Sequence, residues 1–130
     1  MELSFFMPML PPTATAQEHQ AVVKNGKVVF YDPPGVKAAR TKLQAYLAKH
    51  KPKQPITGPI EMTTVWCFQK KNHQDGEWRI TRPDTDNLQK LLKDCMTHLG
   101  FWNDDAQVCR EIVEKHWADI PGIYIKVVSL

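Results

Sequence analysis

The stretch that decides the fold is Arg82–Val108, RPDTDNLQKLLKDCMTHLGFWNDDAQV. From about Asp86 to Leu99 the apolar positions are Leu88, Leu91, Leu92, Cys95, Met96 and Leu99. They recur at i, i+3, i+4, i+7, i+8 and i+11, which is one continuous stripe on a helix and fits no strand. Gly100 is a natural helix stop, because glycine takes the left-handed cap conformation without steric cost. Asp84 and Asp86 stand at the start of this helix, and Asp104 and Asp105 open the segment that follows it.

Working outward, Val108–Trp117 reads as a strand. Pro121-Gly122 then marks a turn and Ile123–Val128 a last strand, so the C-terminal part is expected to form a hairpin. On the other side, Lys70–Arg82 is polar and carries an Asp75-Gly76 turn signal. Ile60–Phe68 alternates, with Ile60, Met62, Thr64, Trp66 and Phe68 on one face and Glu61, Thr63, Val65 and Cys67 on the other, the period of a strand. Lys51–Pro59 is a proline-broken linker. Gly35–His50 places Val36, Ala39, Leu43, Tyr46 and Leu47 at helical spacing. Leu3–Met7 suits a first strand, residues 11–27 a long loop, and Lys27–Tyr31 a short strand. The fold class expected is α+β: one two-layer domain over residues 1–130, a small mixed sheet with two helices on one face in the order β-α-β-α-β-β.

At 130 residues the chain has room for one such core. Its net charge of +3 is unevenly spread. Residues 1–58 hold eight bases and three acids, a net of +5, and residues 59–130 hold nine bases and eleven acids, a net of −2. A basic half beside an acidic half suits a protein that grips phosphate and carries metal-binding carboxylates. A solvated helix face studded with lysines accounts for the same numbers. Cys67, Cys95 and Cys109 form no C-x-x-C pair, and the five histidines complete no zinc pattern. The cysteines are expected to be reduced core or near-core residues, and the histidines surface or structural. The apolar start, Met1–Leu10, is too short to span a bilayer and has no basic leader, so neither membrane nor export is indicated.

The chemistry rests on Asp84, Asp86, Lys90, Asp104 and Asp105. A helix of about 14 residues spans roughly 21 Å, so the two aspartate pairs do not meet across a tight turn. They meet only if the following strand runs back along the helix, or if the helix begins beside the end of that strand. Carboxylates brought about 4 Å apart repel by roughly 4 kcal/mol at an effective dielectric of 20, and must share a proton or bind a cation. Oxygen ligands without histidine or cysteine favour Mg²⁺ or Mn²⁺, which suits phosphodiester hydrolysis. Lys90, four residues after Asp86, is placed to contact a phosphate, with Lys93 on the same polar face. Each residue also has a plainer reading. Asp84 or Asp86 can be a helix cap, Asn103-Asp104-Asp105 a polar turn, and Lys90 a partner in an i, i+4 surface pair. Among the tryptophans, Trp66 lies on the apolar strand face. Trp78 sits in a polar loop with Lys70, Lys71, Arg79 and Arg82 and is the one suited to stack on nucleic acid.

Read as R-P-D-T-D-N-x-x-K followed by G-F-W-x-D-D-A-Q-V, Arg82–Val108 closely resembles the signature of RusA-type Holliday junction resolvases. Weaker similarity extends to the first strand, ending in Leu10-Pro11-Pro12, and to the last two strands. The resemblance implies a small homodimeric, Mg²⁺-dependent endonuclease that nicks four-way DNA junctions in pairs, in recombination and repair. It also implies a cytoplasmic setting, bacterial or phage-encoded, often from a prophage. By the same resemblance Asp84, Asp86 and Asp105 are the metal-binding aspartates and Lys90 the essential lysine, with Asp104 and Asn87 in supporting positions. One segment departs from the family. After Pro12 the family usually shows a serine and an asparagine before a basic, aromatic stretch, whereas Thr13-Ala14-Thr15-Ala16 follows here. Two alternatives stay open beside the resolvase: a nuclease for flaps, forks or other branched DNA, and a non-catalytic DNA-binding module.

Overall fold

A computed structural model describes residues 1–14, 20–31 and 34–130. In chain order the elements are β1 (Glu2–Met7), β2 (Gln20–Lys24), β3 (Lys27–Tyr31), α1 (Pro34–Leu47), β4 (Ile60–Gln69), α2 (Thr85–Leu99), β5 (Val108–Ala118) and β6 (Gly122–Ser129). Single 3-10 turns follow α1 at Ala48–His50 and precede β5 at Asp105–Gln107.

Four strands form one mixed sheet in the order β1-β6-β4-β5, with β4 parallel to β5 and antiparallel to β6. The expected α+β architecture is therefore present. Ile60, Met62, Thr64, Trp66 and Phe68 are all buried, while the intervening β4 residues are only partly so. The apolar stripe of α2 packs on that face, with Leu88, Leu91, Leu92 and Met96 fully buried. Leu43 and Leu47 of α1 join the same core with Met7, Ile123 and Ile125. Each such side chain taken out of water contributes about 1.5–3 kcal/mol.

Three expectations need correction. The C-terminal strands do not form a hairpin. The chain does reverse at Pro121-Gly122, but β6 pairs with β1 and β4, and β4 lies between it and β5. A turn signal records a reversal of direction and says nothing about which strand becomes the neighbour. Residues 11–27 are not loop throughout, because β2 pairs with β3 in register from Gln20↔Tyr31 to Lys24↔Lys27. The two-residue connection is Asn25-Gly26, both with positive φ (52° and 76°), the combination that tight hairpins need. Thr15 and Ala16 of the departing segment lie outside the described residues. Finally, Cys109 is exposed, whereas Cys95 is buried and Cys67 partly buried; all three are free thiols.

Candidate active site

The segment between β4 and α2 decides where the aspartates sit. It turns back and hydrogen-bonds along the outer edge of β5: Gly76 N–H to Trp117 O at 2.8 Å, Trp117 N–H to Glu77 O at 2.8 Å, and Arg79 N–H to Lys115 O at 3.0 Å. The Lys115 ammonium continues the attachment, donating to Thr81 O at 2.8 Å and Pro83 O at 2.7 Å. The Arg82–Pro83 peptide is cis. These bonds start α2 beside Lys115, and with Lys93 further along the helix bonded to Glu111, β5 runs back along α2, the first of the two routes left open by helix length.

Asp84 occupies the cap position of α2 with extended backbone (φ −76°, ψ 150°), and its carbonyl accepts the first helical bond from Leu88 N–H at 3.1 Å. Its carboxylate makes no capping bond. The cap alternative therefore describes its backbone and leaves the side chain available. At the far end Gly100 is left-handed (φ 88°). Its N–H reaches Thr97 O, and Phe101 N–H reaches Met96 O, closing the helix as expected. Phe101 and Trp102 are then buried, with the Trp102 indole donating to Thr97 Oγ1 at 2.7 Å. This anchored pair fixes where the next turn begins.

That turn is built around Asp104 and Gln107. The Asp104 carboxylate accepts from Ala106 N–H at 2.9 Å, and the Gln107 amide oxygen accepts from the backbone N–H groups of Asn103 and Asp104 at 3.0 Å, a capping box. The Gln107 amide nitrogen donates to Ile56 O at 2.9 Å and Gly58 O at 3.1 Å, tying the turn to the linker before β4. Asp104 is thus engaged in holding the turn. Asp105 is the acid it presents.

A groove of about 550 Å³ runs between α2, this turn and β5. The helix contributes Thr85, Asp86, Gln89, Lys90 and Lys93, successive positions on one face. The turn contributes Asp105 and Ala106, and β5 contributes Val108, Glu111 and Val113. Asp86, Lys90 and Asp105 therefore share one cavity, whereas Asp84 is outside its lining. Among the described residues no three acids, histidines or cysteines gather closely enough to enclose a metal. Asp86 Oδ1 accepts from Asn87 N–H at 3.0 Å. Lys90 approaches Asp94 at 3.7 Å, not Asp86. Lys93 is held by Glu111 at 2.6 Å. Beneath the groove the buried Thr64 hydroxyl meets Gln89 Oε1 at 2.8 Å.

The residues expected to contact nucleic acid divide in two. Trp78 is 62% exposed, with its ring tilted over His116 at 4.2 Å, and Lys71 and Arg82 are exposed. Lys70 pairs with Asp119, and Arg79 lies over the Phe68 and Trp117 rings at 4.2 and 4.4 Å. Desolvation lowers the Arg79 pKa from its usual value. Glu111 and Lys115 escaped the sequence reading. In the alternation of β5 they look like ordinary solvent-facing charges, and only their registry opposite the buried Met62 and Trp66 places them on the helix side. Desolvation, followed by the nearby Arg79 charge, lowers the Lys115 pKa, and the Asp84 carboxylate opposes both.

The sequence profile of the Endodeoxyribonuclease RusA family matches residues 10–128. The chain belongs to the RusA family. It is 33% identical over 111 residues to the crossover junction endodeoxyribonuclease rusA of Lactococcus phage r1t, covering 82% of this chain and 81% of that protein. It is also 29% identical over 117 residues to the uncharacterized protein YqaN of Bacillus subtilis (strain 168), covering 81% and 82%. The RusA motif thus has a structural reading here. Its G-F-W part ends the helix and anchors the turn, D-D-x-Q folds the turn, and D-x-D-N-x-x-K lines or borders the groove.

Proposed function

We propose that this RusA-family chain is a divalent-metal-dependent endonuclease that resolves four-way DNA junctions by paired, symmetric nicks. The observation that carries the proposal is the convergence of Asp86, Lys90 and Asp105 on one polar groove, although the sequence separates them by a whole helix.

The donor set fits Mg²⁺ or Mn²⁺. The groove offers carboxylate oxygens without imidazole or thiolate, and Mg²⁺ commonly binds through one or two carboxylates while keeping several waters. Asp86 and Asp105 would hold the ion, with Asp84 contributing from the adjoining segment. When bound, the ion polarises the phosphate and lowers the pKa of a coordinated water. Lys90, whose side chain is 58% exposed and only loosely paired, is free to meet a phosphate oxygen and stabilise the charge that develops on it. Asp104 and Asn87 support the site through the backbone. Trp78, Lys71 and Arg82 form the outer DNA contact, reinforced by Lys70 and Arg79 where DNA displaces their present partners, and by Lys93, whose ammonium has donors to spare beside its bond to Glu111.

A four-way junction has two-fold symmetry, so two coordinated cuts call for two symmetry-related grooves, and the working unit is taken as a homodimer. Among the described residues no helix is long and apolar enough to cross a membrane, and a cytoplasmic, phage-type setting is part of the proposal. The test is incubation of the protein with a labelled four-way junction in Mg²⁺ and in EDTA, beside Asp86→Asn. Paired nicks in opposed strands, only in Mg²⁺ and only with the unaltered protein, are expected. Binding without cutting in either Mg²⁺ or Mn²⁺ leaves a DNA-binding module. The departure at Thr13-Ala14 favours a second reading, cleavage of forks or flaps, which a clear preference for the junction over a fork rejects.

A further inference from the structure

We infer that Glu111 and Lys115, charged residues on the helix-facing side of β5, are positioning residues that set the separation between the aspartates at the start of α2 and Asp105. The inference rests on the metal-nuclease proposal above and assigns these two residues a task within it.

The placement of the two residues is unusual. β5 is an edge strand, and its positions facing α2 include Glu111, Val113, Lys115 and Trp117. Val113 and Trp117 pack against the core, as inward positions should. Taking a charge partly out of water has a cost unless the charge is paired or hydrogen-bonded. Both charges are so engaged, and both partners belong to the segment that carries the proposed ligands. Lys115 grips Thr81 O and Pro83 O, the carbonyls just before Asp84. Glu111 grips Lys93, about two turns along α2 from Asp86. Lys93 and Glu111 are themselves part of the groove lining, and Val113 forms part of its floor.

Asp105 belongs to the turn that leads directly into this same strand. One strand therefore locates all three parts of the site: Asp105 at its beginning, the third turn of α2 through Glu111, and the segment bearing Asp84 and Asp86 through Lys115. Asp84 and Asp86 are on a helix connected to Asp105 only through the full length of α2 and the turn after it. Without these cross-links the distance across the groove would rest on apolar packing, which tolerates sliding better than a bidentate hydrogen-bonded anchor does, with the buried Thr64–Gln89 bond and the backbone bonds of Glu77 and Arg79 to β5 as the remaining polar ties. Contacts made directly to metal ligands change metal affinity about 10–100-fold when removed, and these anchors, which hold the segments bearing the ligands, are expected at the lower end of that range.

The test uses the full chain with Lys115→Met, Lys115→Arg and Glu111→Gln. Mn²⁺ binding is measured by calorimetry without DNA, cleavage of a four-way junction is followed against Mg²⁺ concentration, and thermal melting is recorded in EDTA. Lys115→Met and Glu111→Gln are expected to weaken Mn²⁺ binding and raise the Mg²⁺ requirement about tenfold, with junction binding in EDTA retained. Lys115→Arg, which can still donate to two carbonyls, should recover most of the loss. If Lys115→Met does not fold, the near-isosteric Glu111→Gln carries the test. Folded variants that bind Mn²⁺ like the unaltered protein overturn the inference, even if they melt earlier, because the residues are then purely structural. An unaltered protein that neither binds Mn²⁺ nor cuts overturns the functional proposal and the inference with it, and the two failures are told apart in the unaltered protein.

Discussion

The Thr64 hydroxyl on the central strand donates to the Gln89 side-chain oxygen on α2 at 2.8 Å, and both residues are buried directly under the groove. The Gln89 amide nitrogen reaches Met62 Sδ at 3.4 Å. This is the polar contact that joins α2 to the sheet within the core. Thr64→Val removes one partner and leaves the other buried and unsatisfied, which is expected to cost about 1–3 kcal/mol, while Thr64→Val with Gln89→Leu should cost less than the sum of the two single changes. Urea unfolding of the two single variants and the double variant measures the difference.

Removing the acids of the groove should separate cleavage from binding. Asp86→Asn and Asp105→Asn are expected to reduce junction cleavage at least about 100-fold. Thermal stability should be unchanged or slightly raised, since each substitution removes a negative charge from a shared cavity. Single-turnover cleavage and gel-shift titration in EDTA provide the comparison. Asp104→Asn is expected to act differently, because that carboxylate already accepts from the turn it caps. Its effect should be seen in melting temperature as much as in rate.

The Gln107 side chain makes four hydrogen bonds, two received from the backbone of its own turn and two given to the linker before β4. Gln107→Ala is expected to destabilise the fold by about 1–3 kcal/mol and to lower cleavage further by loosening Asp105. Gln107→Glu keeps the acceptor and loses the donors, so it should fall between. Denaturant melts and cleavage rates on the same preparations test the order.

Stability should fall at alkaline pH through Cys95. Burial pushes its thiol up from 9.0 to about 11. An acid whose folded pKa is raised favours the neutral form, so its stabilising effect is intact below pH 9.0 and is lost as the unfolded chain ionises between 9.0 and about 11. The loss is on the order of 1 kcal/mol by pH 10. Denaturant unfolding at pH 8 and pH 10 should show it, and Cys95→Ala should flatten the difference while lowering stability at both values.

Gly122 has no room for a side chain. A Cβ there would stand 2.1 Å from Phe6 Cζ and 2.6 Å from the Met7 carbonyl oxygen. Gly122→Ala is therefore expected to cost roughly 1–3 kcal/mol or more. Adding Phe6→Ala should restore only part of the loss, since the ring can be removed and the carbonyl cannot. Thermal melts of the single and double variants distinguish the two contributions.

The parts of this fold that were legible in the sequence are those with a local period. The stripe from Leu88 to Leu99 with Gly100 behind it, and the alternation of Ile60–Phe68, each define an element without reference to anything distant. Asn25-Gly26 was a readable hairpin signal, overshadowed by the polar residues before it. Strand neighbours are another matter. Nothing in Pro121-Gly122 indicates that β4 separates β5 from β6. The aspartates themselves were legible as a motif, but their meeting depends on backbone bonds between Glu77–Arg79 and Lys115–Trp117, a long-range pairing of a stretch with no strand pattern. Glu111 and Lys115 were hidden for the same reason, since their direction follows from registry with β4.

The attachment of Arg79 to Lys115 has to agree with the rotational phase that the buried leucine stripe gives the helix. Counting forward from that bond, each residue up to Asp84 advances the point at which α2 begins to wind. Ile80 is 93% exposed, so a change of its identity should matter little. A change in the number of residues is a different kind of perturbation. Deleting one between Arg79 and Asp84 demands a turn of about 100° about the helix axis, which the buried leucine stripe opposes, so the Arg79–Lys115 attachment is expected to give way and the groove to lose its edge. In this short stretch, length is constrained more tightly than composition.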